Sequence, residues 1–121
     1  MEDLSPTMQA KAEQFIILCE AKGIEVLVYC SYRSAAEQME LYALGRTKPG
    51  RVVTWTLSSK HNLTAGGKPA AKAFDCVPLK MGKPDWDAAA SYKIMGDIGA
   101  SIGLIWGGRW KGKDTPHFEL P

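Results

Sequence analysis

The 121 residues are 45% hydrophobic and 23% charged, an ordinary globular composition that excludes disordered and fibrous classes. A chain of this length buries about two-thirds of the surface its unfolded form exposes, so one core forms without disulfide staples. The formal net charge is +2 and no block of like charge is present, which excludes a nucleic-acid-binding stripe.

Cys19, Cys30 and Cys76 are odd in number and include no C-x-x-C spacing, which suits a reducing compartment at synthesis. The N-terminal stretch "MEDLSPTMQAKAEQF" is polar and acidic where a signal peptide needs a basic region and an apolar core. The longest apolar stretch, "FIILC" at 15–19, is too short for a bilayer. The expectation is a cytoplasmically made monomer without stable membrane association.

No repeat, low-complexity tract or long polar linker divides the chain, so 1–121 reads as a single domain. Ser5-Pro6 supplies an N-cap and a first-turn proline. Ala10, Phe15, Ile16, Leu18 and Cys19 then recur at helical spacing until Gly23. "IEVLVYCSY" at 24–32 is β-branched and aromatic and predicts a buried strand. "SAAEQMELYALG" opens on Ser34 and closes on Gly45, with Ala35, Met39, Leu41, Tyr42 and Leu44 as its apolar side. Pro49 and Gly50 mark 46–60 as a long loop, with a short strand at "RVVTWTL". "KAFDCVPL" at 72–79 predicts a strand ended by Pro78, and Asp85 is expected to begin a helix through "WDAAASYKIMGDIGASIG". "PHFEL", between Pro116 and Pro121, predicts a short last strand. Few strands separated by long irregular stretches predict an α+β fold rather than a doubly wound sheet.

The chain has two histidines, His61 and His117, and both lie near carboxylates. Strand alternation sets Asp75 with Ala73 and Val77, and Cys76 with Phe74 on the other face. It likewise sets His117 with Glu119, and Phe118 with Leu120. A catalytic zinc ion typically takes three such ligands and lowers the pKa of a water in the fourth position to about 7. His61, Asp75 and His117 supply that set, with Asp114 or Glu119 available to move a proton. The fourteen-position offset between His61 and Asp75 matches no motif of stated mechanism, so spacing alone leaves surface histidine and metal ligand both open.

"SYRSAAEQ" at 31–38, "SKH" at 59–61, "AFD" at 73–75, "WGGRW" at 106–110 and "DTPHFE" at 114–119 follow one another in the order of a known group. The chain resembles the zinc D-Ala-D-Ala carboxypeptidase and L-alanyl-D-glutamate endopeptidase family, phage endolysins included, from about residue 5 to its end. The resemblance implies the small hedgehog/DD-peptidase-like α+β fold, with helices packed on a mainly antiparallel sheet, as one catalytic domain lacking a separate wall-binding domain. It implies one zinc ion on His61, Asp75 and His117, with Asp114 as the catalytic carboxylate. Arg33 then binds the scissile carbonyl oxygen, a role its permanent charge and forked donors suit. Gln38 and Ser59 become substrate-binding or ligand-orienting residues. Glu119 becomes a group supporting a ligand, or the rival base. Trp106 and Trp110, with two glycines between the first and Arg109, either wall the substrate groove or belong to the core, and the sequence leaves both open.

The implied activity is hydrolysis of an amide in the peptidoglycan peptide stem, with the L-Ala-D-Glu bond first. The implied setting is phage lysis, in which enzyme made in host cytoplasm reaches the wall after release. The alternatives are a D-Ala-D-Ala carboxypeptidase or dipeptidase, a wall-binding module of the same fold without turnover, and a cysteine amidase using Cys76. Strand alternation argues against the last. One departure from the family stands out: a short G-x-A-x-D segment usually follows the first histidine, whereas here "NLTAGGKPAAKAF" precedes Asp75. The expectation is a surface loop that folds aside and lets His61 and Asp75 meet.

Overall fold

The computed structural model describes residues 3–51 and 59–121; the strand expected at "RVVTWTL" falls outside the described residues. Helix α1 runs Pro6–Ala21, with the Ser5 hydroxyl accepting from the Met8 amide at its start. It ends where Gly23 takes φ +80° and the Ile24 amide turns back to the Cys19 carbonyl. Met8, Ala12, Phe15 and Cys19 form its buried face, whereas Ala10, expected there, is exposed.

Strand β1 (Val26–Cys30) leads through Ser31–Arg33 into α2 (Ala35–Ala43), which Ser34 and Glu37 open with a reciprocal capping box. A short 3-10 turn at Lys60–Asn62 precedes a hairpin of β2 (Thr64–Ala65) and β3 (Lys68–Pro69). Strands β4 (Ala73–Lys80) and β5 (Lys83–Pro84), helix α3 (Ala89–Ser101) and strands β6 (Ile105–Trp106) and β7 (His117–Glu119), with a second 3-10 turn at Gly107–Arg109 between the last two, complete the described elements.

Among the described residues five strands form an antiparallel sheet in the order β1-β4-β7-β6, with β5 on the far end of β4. The α+β expectation therefore holds. Pro78 does not end its strand: it pairs with Val26 on β1, and its neighbour Leu79 donates to the Glu25 carbonyl. Alternation turns the Pro78 nitrogen to the other side, which β7 does not reach, so no ladder bond is lost. Helix α3 also starts later than expected: the Asp85 amide donates to the Pro78 carbonyl, 85–88 form a turn, and the helix begins at Ala89.

The core lies between the sheet and helices α1 and α3. Phe15 of α1 meets Phe118 of β7 at a ring separation of 4.7 Å and Phe74 of β4 at 5.4 Å, and the two strand rings stack on each other. Phe74 and Phe118 immediately precede Asp75 and follow His117, so the face opposite this aromatic cluster is the one that carries the candidate ligands.

Candidate metal centre

Asp75 sits mid-strand in β4, opposite Cys30 of β1 on one side and His117 of β7 on the other. Register alone thus brings Asp75 and His117 together. His61 reaches them from the 3-10 turn, whose Ser59 hydroxyl accepts from the His61 amide at 3.2 Å. That turn is fastened to the start of α2 by the Arg33 amide, which donates to the His61 carbonyl. All three side chains are buried.

His61 Nε2, His117 Nδ1 and Asp75 Oδ1 are each 3.2 Å from the other two. The remaining ring nitrogens say where the protons are. His61 Nδ1 lies 2.9 Å from the Ser31 carbonyl, which only accepts, so this nitrogen carries the N–H. His117 Nε2 lies 2.9 Å from Glu119 Oε1 and donates likewise. In their neutral forms both rings therefore aim lone pairs at the same carboxylate oxygen. Three acceptors converging on one point fit a cation: ligands about 2.0–2.1 Å from a tetrahedral zinc stand about 3.3–3.4 Å apart. The fixed outer nitrogens are the arrangement that orients metal-bound imidazoles. Two further triplets of ligating groups overlap here and share Asp75: Cys30 with His61, and Asp114 with His117.

Without a cation, protons take that place. Burial alone would depress His61, but its hydrogen bonds to Asp75 and Cys30 outweigh it and hold the imidazole at about 10. His117 is raised for the same reason, its bonds to Asp75 and Glu119 overcoming burial. Asp75, which burial would raise, is held well below the usual carboxylate range by the two histidines.

Asp114 and Glu119 occupy opposite sides of His117. Asp114 Oδ2 is 3.9 Å from Nδ1, the nitrogen that faces the cluster, and its side chain keeps 51% of its surface. Burial by its surroundings, then the charge of Asp75, raises its pKa. Glu119 instead holds the far nitrogen and is itself held by Lys60 Nζ at 2.8 Å, which keeps its pKa low against burial. The loop of Asp114 depends on Gly107, where a Cβ would stand 2.5 Å from the Asp114 carbonyl oxygen. The Trp106 indole pins the same loop by donating to the Thr115 carbonyl at 2.7 Å.

Arg33 Nη2 lies 3.8 Å from Asp75 Oδ2 and its Nη1 donates to Gln38 at 2.8 Å. Gln38 is fully buried, so it aims the guanidinium rather than lining a groove. Trp106, a candidate wall of the groove, instead packs in the core at 8% exposed, while Trp110, 37% exposed, lies over the His117 ring at 5.1 Å. Cys76 is buried with its thiol pKa pushed up by desolvation, far from a thiolate nucleophile. Sequence reasoning missed Lys60 and Cys30, although each sits within three positions of a residue it did single out.

A family profile described as D-alanyl-D-alanine carboxypeptidase matches residues 54–120. The peptidoglycan L-alanyl-D-glutamate endopeptidase CwlK of Bacillus subtilis is 33% identical, over 98% of this chain and 74% of its own length. The L-alanyl-D-glutamate peptidase of a Listeria phage is 29% identical over 97% of this chain, which spans only 38% of that protein. Among solved structures, the L-Ala D-Glu endopeptidase ChiX of Serratia marcescens superposes with a TM-score of 0.59 at 28% identity, covering 81% of this chain and 68% of ChiX. DacB of Streptococcus pneumoniae superposes at 0.64 with 16% identity, over 98% of this chain and 66% of DacB, a likeness of fold alone. The chain belongs to the D-alanyl-D-alanine carboxypeptidase family.

Proposed function

We propose that this chain is a zinc-dependent peptidase that hydrolyses the L-alanyl-D-glutamate bond of the peptidoglycan stem and acts on the bacterial wall during host lysis. The observation that carries the reading is the convergence of lone pairs from His61, Asp75 and His117 beside a carboxylate and a guanidinium. The choice of bond follows from the relatives named for it. A zinc ion held by His61, Asp75 and His117 would polarise the scissile carbonyl and lower the pKa of a water.

The chain's own groups do the rest. Asp114, with its raised pKa and exposed position, takes a proton from the attacking water and returns it to the leaving amine. Arg33, fixed by Gln38 and only 18% exposed, offers its forked donors to the oxyanion. Glu119 holds His117 in the tautomer that leaves Nδ1 free to ligate.

The test is digestion of purified peptidoglycan with and without a chelator, followed by mass spectrometry of the new termini. New N-terminal D-Glu, lost on chelation and restored by zinc, is the expected result. Cleavage that survives chelation sinks the zinc assignment. The description of the matching family favours a second reading, D-Ala-D-Ala carboxypeptidase, and released D-Ala without new D-Glu termini would establish it. Asp114→Asn is expected to retain zinc and to lose turnover by roughly a hundredfold or more. If Glu119→Gln shows that pattern instead, the proton passes through Glu119.

A further inference from the structure

Strand β1 borders the sheet, and its ladder with β4 slips between the pairs Val28–Cys76 and Cys30–Asp75, which leaves Tyr29 as an extra residue without a partner. Bulges of this kind re-aim side chains and recur beside active sites. Val28 packs against the core, so alternation turns Tyr29 to the other face, the one carrying Asp75. Desolvation, then the negative charges of Asp75 and Asp114, push the Tyr29 phenol up, which agrees with a ring on that face. Tyr29 is 44% exposed and stands edge-on to Trp86, itself 53% exposed, at a ring separation of 5.2 Å. Neither ring belongs to the buried core cluster. On the other neighbour of β4, Trp110 covers the ring of His117. Two half-exposed aromatic surfaces thus flank Asp75 from opposite sides of its strand.

We infer that Tyr29 and Trp86 form one wall of the substrate groove, against which the amide planes and small aliphatic side chains of the stem peptide lie, with Trp110 as the opposite wall. The inference rests on the peptidase reading above. Flat rings give contact area at little entropic cost, because few torsions are frozen. A wall of this kind binds ground state and transition state alike, so its loss shows in KM rather than kcat.

Steady-state kinetics on a soluble muramoyl tripeptide containing the L-Ala-D-Glu bond provide the test, with zinc content and thermal midpoint measured for every variant. Trp86→Ala and Tyr29→Ala are expected to raise KM roughly three- to tenfold with kcat within about twofold. Tyr29→Phe, which keeps the ring, is expected to retain the KM of the unaltered protein. Trp86→Leu is a second probe should Trp86→Ala not fold. Unchanged KM in folded, zinc-loaded Trp86 and Tyr29 variants overturns the wall. So does a fall in kcat alone, or a KM in Tyr29→Phe as high as in Tyr29→Ala. Failure of the unaltered protein to cleave any stem peptide would overturn the peptidase reading instead.

Discussion

Each central imidazole has one nitrogen committed outside the cluster, and the group it is committed to decides how firmly the other nitrogen is presented. His61 leans on a backbone carbonyl that no substitution removes. His117 leans on Glu119, which leans on Lys60, so its presentation depends on two exchangeable side chains. Glu119→Gln is expected to weaken zinc binding by about 10- to 100-fold, and Lys60→Met by less, as measured by competition with a fluorescent chelator. The raised pKa of His61 sets a pH dependence. A zinc ion bound here would have to displace the proton on each histidine, so its apparent affinity is expected to rise by up to about tenfold per pH unit for each protonated histidine, with proton release seen by calorimetry in two buffers. In the zinc-free protein the sign is opposite. A pKa lifted from 6.5 to about 10 contributes stability that is whole below 6.5 and is lost as pH climbs through about 10. Thermal midpoints in chelator across pH 6 to 10.5 check this. The meeting of His61, Asp75 and His117 was legible in the sequence, Asp75 and His117 from period-two alternation and all three from the ordered motifs. Gln38 and Trp106 were not, since their burial arises from α2 meeting Arg33 and from β6 meeting α3, contacts with no local signature.

Helix α3 is positioned by absences of side chain. A Cβ on Gly96 would lie 2.2 Å from the Trp106 ring, and one on Gly99 would lie 2.8 Å from the Phe118 ring. Alanine for glycine inside a helix normally stabilises by about 0.5–1 kcal/mol. Here overpacking reverses the sign, and Gly96→Ala is expected to destabilise by about 1–3 kcal/mol in chemical denaturation. Because Trp106 also holds the Thr115 carbonyl, the same variant is expected to lower activity at temperatures where it remains folded. The helix itself was readable from apolar spacing. Its starting residue was not: 85–88 close a turn, with the Ala88 amide donating to the Asp85 carbonyl, and the helix begins only at Ala89. Strands β5 and β6, two residues each, are too short to leave a periodic trace.

Across the molecule, the candidate ligands come from segments far apart in sequence, and backbone hydrogen bonds alone close the distance between them. The Lys72 amide donates to the Lys60 carbonyl, and Leu120 donates to Lys72, so the chain entering His61, β4 and the end of β7 are tied at one place. The extra length between His61 and Asp75 hangs beyond that tie as the β2–β3 hairpin, its Gly66-Gly67 turn at φ +59° and +77° and both its strands exposed. This is the surface loop expected from the sequence. Closing such a loop costs only about 0.6 kcal/mol more for each doubling of its length. Replacing residues 64–69 with a two-residue link is expected to leave zinc affinity within about twofold, measured by the same competition assay. The hairpin is therefore expected to work as a cartridge slot: an epitope, a fluorophore site or a wall-targeting peptide spliced at Gly66-Gly67 would ride a few residues from His61, outside the tie that brings the candidate ligands together.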